Sequence, residues 1–280
     1  MTLVTDELIE LRGLKFHFRD WAARPSGAPA LVLLHGYTGH GRSWDFFAEG
    51  MSDRYRVIAL DQRGHGESGW AGPGGYGIGE MRMDLEAFVA ALGLKVFDLV
   101  GLSMGGMVAM DYAGRRPAAL GRLVIVDIAP EIASHGSNRI QRGQKQSDVF
   151  DTRESAFDAA RAANAVPPDE HLRHRVFNNL MGLEDGRFTW RYDRALRDVR
   201  ELKMRPPEEG WASCAAIAAP TLIMRGELSD ILAPEMAELM ERTIPGSHLA
   251  TVKGAGHSIP LDRPDGFLSA ARGFLMGDDA

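Results

Sequence analysis

Val96-Phe97-Asp98-Leu99-Val100-Gly101-Leu102-Ser103-Met104-Gly105-Gly106 runs from an apolar stretch into a serine set among small residues. Val96 to Leu102 reads as a buried strand, and Met104 to Arg115, rich in methionine and small side chains, reads as a helix. Ser103 then sits in a tight strand-to-helix turn. Such a turn strains the serine backbone, and glycines two positions before and after it let the turn close. The strain lifts the hydroxyl above the sheet, and the helix N-terminus beneath it favours developing negative charge.

The same alternation continues outward. Leu31 to His35, Arg56 to Asp61, Leu123 to Asp127 and Thr221 to Met224 are near-continuous apolar runs, as in parallel sheets covered on both faces. Met81, Leu85, Phe88, Val89 and Leu92 share one helical face. Pro234 to Thr243 and Pro264 to Phe274 add two more helices. The pattern predicts right-handed crossovers and a doubly wound sheet. Residues 11–21, with Leu14, Phe16 and Phe18 on one side, read as an antiparallel edge strand. From 130 to 210 the rhythm stops, and helices without intervening strands are expected at Ser155 to Ala165 and Pro168 to Leu180. That segment reads as a helical cap inserted into a core of residues 1–129 and 211–280.

The 280 residues suit one large α/β domain with an insertion. The formal net charge of -6 argues against nucleic acid as a partner. Cys214 is the only cysteine, so no intramolecular disulfide forms, and its neighbours read as packed structure rather than a reactive site. The N-terminus does not resemble a signal peptide, and no run approaches the roughly 20 apolar residues of a membrane span. The expectation is a cytoplasmic protein with no membrane partner. The oligomeric state, monomer or homodimer, is left open.

Four further segments, with the serine turn, resemble the α/β-hydrolase fold superfamily along nearly the whole chain. They are His35-Gly36-Tyr37-Thr38-Gly39, Asp61 to Ser68, Arg225 to Asp230 and Gly254-Ala255-Gly256-His257. The resemblance implies an α/β fold with a doubly wound, mostly parallel eight-stranded sheet and an inserted helical cap. It implies Ser103 as nucleophile and His257 as general base, since a serine hydroxyl needs an imidazole to take its proton. The backbone N–H groups of Met104 and Tyr37 are the expected oxyanion donors. In the family, residues at the places of His35 and His65 more often brace loops, and His40, His135, His171 and His174 read as loop or cap residues. No cofactor is implied, and no ligand spacing suggests a metal.

The third member of the triad has two candidates. Many relatives place it three residues after the glycine that ends the strand before the histidine strand. Here that glycine is Gly226 and the third residue on is Ser229, with Asp230 one position late. A subset of the family places it after the strand that follows the nucleophile's helix, which here ends in Asp127. An aspartate closing an apolar strand needs a partner, and Asp127 is preferred over Asp230. Ser229 and the Val126-Asp127-Ile128-Ala129-Pro130 segment resemble carboxylesterase and amide- or enol-hydrolase branches. Dehalogenases and epoxide hydrolases carry aspartate where this chain has Ser103.

Residues 131–205 hold 14 Lys and Arg against 12 Asp and Glu, a slightly basic cap on an acidic body. Arg139, Arg142 or Arg191 could meet a substrate carboxylate, and Tyr37, Trp190 and Tyr192 could line the pocket, with Phe188 in the same alternation. The expected activity is hydrolysis of a small carboxylic ester, lactone or related acyl compound through an acyl-enzyme. The alternatives are carbon–carbon bond or enamide and amide hydrolysis on a small carboxylate, and a non-catalytic small-ligand receptor of the same fold.

Overall fold

The apolar runs form the centre of the sheet, where Leu31, Val32, Leu33, Leu34, Val57 and Ile58 are all fully buried. Burying each such side chain contributes about 1.5–3 kcal/mol. The computed structural model describes residues 3–22, 27–131, 148–197 and 202–277. Its strands are β1 (Val4–Leu11), β2 (Leu14–Trp21), β3 (Ala30–Leu34), β4 (Arg56–Leu60), β5 (Phe97–Leu102), β6 (Leu120–Val126), β7 (Val149–Phe150), β8 (Leu180–Gly182), β9 (Phe188–Trp190), β10 (Thr221–Gly226) and β11 (Ser247–Val252). Eight of them make one sheet in the order β1-β2-β4-β3-β5-β6-β10-β11. The pairs from β4 to β11 are parallel, while β1 and β2 are antiparallel additions.

Helices cover both faces, as the crossovers predict. On one side lie α2 (Ile78–Ala91) and α3 (Met104–Ala113), with Met81, Leu85, Phe88 and Val108 in the core. On the other, α1 (Asp45–Met51) contributes Phe47 and Met51 to a second core. The edge differs from the single strand expected over 11–21. Arg12 and Gly13, at φ 50° and 78°, turn the chain between β1 and β2, so the edge is a hairpin with β1 outermost. β1 is exposed at Val4, Asp6, Glu7, Leu8 and Glu10, which leaves no buried face to create alternation.

The segment from 148 to 197 contains α4 (Arg153–Ala163) and α5 (Asp169–Asn178), close to the two helices expected. It also contains β7, β9 and β8, which form a three-stranded antiparallel sheet. The expectation of helices without strands is therefore corrected. Strands of two or three residues are too short for a period of two to register. Leu172, Val176 and Leu180 pack with Phe157, Phe150 and Phe188 into a small core of their own.

Contacts along α5 and after β9 tie this segment to the body. Along α5, His40 Nε2 lies 3.1 Å from the Arg175 carbonyl and His174 Nε2 3.0 Å from Asp45. After β9, the Gly66 N–H donates to the Arg191 carbonyl at 3.0 Å and the Asp193 N–H to the Gly64 carbonyl at 2.7 Å. The chain returns through α6 (Pro207–Ala216), which straddles the expected boundary at 210 and packs against α3. It then adds α7 (Pro234–Thr243), the single turn α8 (Ile259–Asp262) and α9 (Pro264–Met276). Among the described residues, no helix is long and apolar enough to cross a membrane.

The serine turn depends on backbone packing that no side chain tolerates. A Cβ on Gly105 would stand 2.4 Å from the Leu34 carbonyl oxygen, and one on Gly101 would stand 2.4 Å from the Gly105 oxygen. Gly105→Ala is expected to lower the chemical-denaturation free energy by about 3 kcal/mol or more, since the obstruction is backbone in the central strand. A midpoint unchanged from the parent protein would contradict this packing.

Candidate active site

Ser103 joins β5 to α3 at φ 52° and ψ -116°, a strained conformation that costs about 1–3 kcal/mol. The surroundings hold it there. Its N–H donates to the Val126 carbonyl at 2.9 Å, and its carbonyl accepts the Met107 N–H at 3.0 Å. His257 lies in the loop after β11, where Gly254 at φ 68° bends the chain back over the sheet.

The structure brings Ser103, His257 and Asp127 into one hydrogen-bonded chain. His257 Nε2 is 3.0 Å from Ser103 Oγ, and His257 Nδ1 is 2.8 Å from Asp127 Oδ2. Asp127 is fully buried just after β6, at φ 53°. Its carboxylate is well satisfied, as burial demands. Oδ1 accepts the Gly226 N–H at 2.8 Å, and Oδ2 accepts the Ser229 hydroxyl as well as the imidazole. An acceptor at Nδ1 places the imidazole hydrogen there and leaves Nε2 free to take the serine proton.

Asp127, one of the two candidate acids, is thus hydrogen-bonded to His257. Asp230 is exposed in the turn after β10. Ser229, at the position where many relatives keep the acid, donates to Asp127 instead. Its Oγ also accepts the N–H groups of Ile231 and Leu232 at 3.1 and 3.3 Å, which orders the turn. That supporting role was not read from the sequence. The signal was the paired anomaly of a serine in the acid's place and an aspartate ending β6.

Met104 begins α3, directly after the serine. A Cβ on Gly36 would lie 3.3 Å from Ser103 Cβ, so the peptide joining Gly36 to Tyr37 runs beside the serine. The turn from Gly36 to Gly39 is closed by the Gly39 N–H donating to the Gly36 carbonyl at 2.9 Å. Both expected oxyanion donors thus lie on elements that flank Ser103.

The aromatic residues expected to line a pocket separate. Tyr37 is half-buried, with its ring centroid 6.3 Å from that of His65. Tyr192 is buried and stacks on His65 from the opposite segment, also at 6.3 Å. Trp190 packs edge-on against Phe150 at 5.1 Å and touches both the small core of 148–197 and the main core. Phe188 faces Arg153, whose guanidinium lies 5.4 Å from its ring centroid. Of the arginines singled out, Arg191 donates through Nη2 to the Leu180 carbonyl at 3.1 Å. Arg139, Arg142 and His135 lie outside the described residues.

His35 and His65 brace loops, and His40, His171 and His174 dock α5 onto the body. His35 Nδ1 donates to the Gly36 carbonyl at 2.8 Å while Nε2 accepts the Gln62 N–H at 3.0 Å. His65 Nδ1 bonds the Arg63 carbonyl at 3.0 Å. His171 stacks on Phe46 at 3.8 Å. Cys214 is buried beside Met110, and burial pushes its thiol up to about 12, which makes it inert. Among the described residues, no cluster of three or more potential metal ligands occurs.

Burial holds three of these histidines neutral, His35 at about 3 and His40 and His65 at about 4. Asp61 behaves oppositely. Burial raises its pKa, but the hydrogen bond and charge of His17 outweigh that and bring it down to about 2. The unfolded chain takes protons on the three histidines below their ordinary value of 6.5, where the folded chain refuses them. Stability therefore falls as pH drops from 6.5 towards 4. His17 has a raised pKa, so its contribution is complete below 6.5 and fades as pH rises through the folded value. Thermal midpoints measured from pH 6.5 to pH 4 are expected to decline steadily, and a flat profile would contradict this assignment.

This fold and this serine turn define a class, and the chain belongs to the alpha/beta hydrolase fold family, whose model matches residues 29–264. The protein is a hydrolase by that family and by its relatives. It is 30% identical over 256 residues to the sn-1-specific diacylglycerol lipase of Mus musculus, covering 88% of this chain and 81% of that one. It is 28% identical over 260 residues to an esterase of Mycobacterium tuberculosis, covering 89% and 83%. The solved structure of that esterase superposes with a TM-score of 0.82 at 25% identity, over 98% of this chain and 92% of that one. N-formylmaleamate deformylase of Pseudomonas putida is 28% identical over 285 residues, covering 98% and 97%.

Proposed function

We propose that the protein is a serine hydrolase that cleaves a small carboxylic ester, lactone or related acyl compound through an acyl-enzyme. The observation that carries the reading is the unbroken chain from Ser103 Oγ to His257 at 3.0 Å and from His257 to Asp127 at 2.8 Å. Ser103 Oγ attacks the substrate carbonyl carbon and His257 Nε2 takes its proton. The carbonyl oxygen gathers negative charge between the N–H groups of Tyr37 and Met104, next to the N-terminus of α3. Asp127 keeps the imidazole in the required tautomer and offsets its positive charge. His257 then protonates the leaving alcohol, water enters, and the same steps in reverse release the acid.

Residues 130–210 serve in this reading as a cap over the serine, and Tyr37 and Tyr192 both lie against His65 where cap and body join. The mouse lipase and the mycobacterial esterase support an acyl ester as substrate. Amide or enamide hydrolysis on a small carboxylate is the second reading. It draws on the P. putida deformylase, which this chain matches over nearly its full length.

An acyl-enzyme has a signature independent of any named substrate. Two esters with one acyl group and different leaving groups, hydrolysed in dilute methanol, must pass through the same intermediate. The ratio of methyl ester to free acid is expected to be identical for both. Ratios that follow the leaving group would overturn the acyl-enzyme.

A further inference from the structure

Two asparagines of the segment 148–197 reach the two loops that flank Ser103. Asn179 follows α5 as its C-terminal cap, with its N–H shared between the Arg175 and Val176 carbonyls at 3.2 and 3.1 Å. Its side-chain Nδ2 donates to the Thr38 carbonyl at 2.9 Å. Thr38 stands at φ 59° in the Gly36 to Gly39 turn, the turn that carries the Tyr37 N–H. Asn179 is only 5% exposed. Its amide orientation is fixed by chemistry, since the reverse would set its oxygen against the Thr38 oxygen.

Asn164 ends α4 in the same way, as its C-terminal cap. Its Oδ1 accepts the Val166 N–H at 3.0 Å, which leaves Nδ2 to donate to Asp262 Oδ1 at 2.8 Å. The other oxygen of Asp262 accepts the Gly256 N–H at 2.8 Å, and Gly256 immediately precedes His257. Asp262 is 1% exposed, and the charge facing it comes from Arg175 of α5. Both carboxylate oxygens are thus committed, one to the cap and one to the histidine loop.

We propose that Asn179 and Asn164 are positioning residues through which the cap sets the catalytic geometry, Asn179 by holding the oxyanion turn and Asn164, through Asp262, by holding the His257 loop. The inference rests on the reading of Ser103, His257 and Tyr37 given above. Neither asparagine touches the reacting atoms. Each ends a cap helix, so a shift of α4 or α5 against the body moves the oxyanion donor or the base relative to Ser103. Hydrolysis is then conditional on how the cap is seated. Displacements of about 1 Å in such a constellation cost on the order of 100-fold in rate, and loss of one tether leaves the others in place, so the effect of each is smaller.

The test compares Asn179→Ala, Asn179→Asp and Asn164→Ala in the full chain, with Ser103→Ala as control. Asn179→Asp keeps the shape and loses the donor. The readouts are kcat and KM for an activated ester, the affinity of phenylboronic acid, the pH profile of kcat/KM and the thermal midpoint. Phenylboronic acid adds to the serine as a tetrahedral adduct and reports the oxyanion site. Both Asn179 variants are expected to lose about tenfold in kcat with KM little changed, and to bind the boronic acid more weakly by the same factor. Asn164→Ala, at a half-buried site, is expected to shift the acid limb of the kcat/KM profile while boronic acid affinity changes less. Variants that lower only the thermal midpoint, with kcat, boronic acid affinity and pH profile intact, would show mere docking contacts and overturn the proposal. If Ser103→Ala itself kept full activity, the underlying serine-hydrolase reading would fail instead.

Discussion

Ser103→Ala is expected to lower kcat by about 10^6-fold while leaving the thermal midpoint unchanged. The size follows from what the hydroxyl does in the proposed mechanism. It is the atom that forms the covalent bond, and His257 has nothing to activate without it. The remaining N–H donors near Tyr37 and Met104 still stabilise a tetrahedral species, so a residual acceleration over water of about 10^3 to 10^4 persists. Stability is spared because the strained backbone at φ 52° is held by main-chain hydrogen bonds to Val126 and from Met107, none of which uses the side chain. Steady-state rates on an activated ester, paired with a melting curve, check both halves. Activity retained with an intact fold would mean that another group carries the reaction.

Asp127→Asn is the second large effect, about 10^4-fold in kcat. The amide keeps the shape of the carboxylate. It places one donor where Ser229 and His257 both now donate to Oδ2, so the imidazole settles in the opposite tautomer. Nε2 then carries a hydrogen towards Ser103 and cannot take the serine proton. Asp230→Asn is expected to leave kcat within about twofold, because Asp230 is exposed and the carboxylate bonded to His257 is that of Asp127. Parallel kinetics on the two variants give opposite outcomes for the two candidate acids. Loss of activity in Asp230→Asn alone would assign the acid to the position after β10.

The serine turn was legible because its sterics admit few sequences. Gly101 and Gly105 lie where main chain passes within 2.4 Å of any added Cβ, and that need is local. Asp127 was legible for a different reason. A carboxylate at the end of an apolar strand must find donors, and here it finds Gly226, Ser229 and His257. What escaped the sequence depends on longer range or shorter elements. β7, β8 and β9 are too short to alternate, and β1 exposes both of its faces. Asn179 meets Thr38 across 141 residues and Asn164 meets Asp262 across 98, so nothing local marks either asparagine. Ser229 stands where many relatives keep the acid, and only the fold shows that its hydroxyl donates to Asp127.

The central claim is that Ser103 becomes covalently acylated, and the most direct measurement is the site of labelling by a fluorophosphonate. The protein is treated with the reagent, its mass is recorded intact, and the modified peptide is sequenced by fragmentation. The account predicts one adduct per chain, carried on Ser103, with complete loss of hydrolysis at full labelling and far slower labelling in His257→Ala. Inactivation with the adduct on any other residue, or full labelling with activity retained, would contradict it.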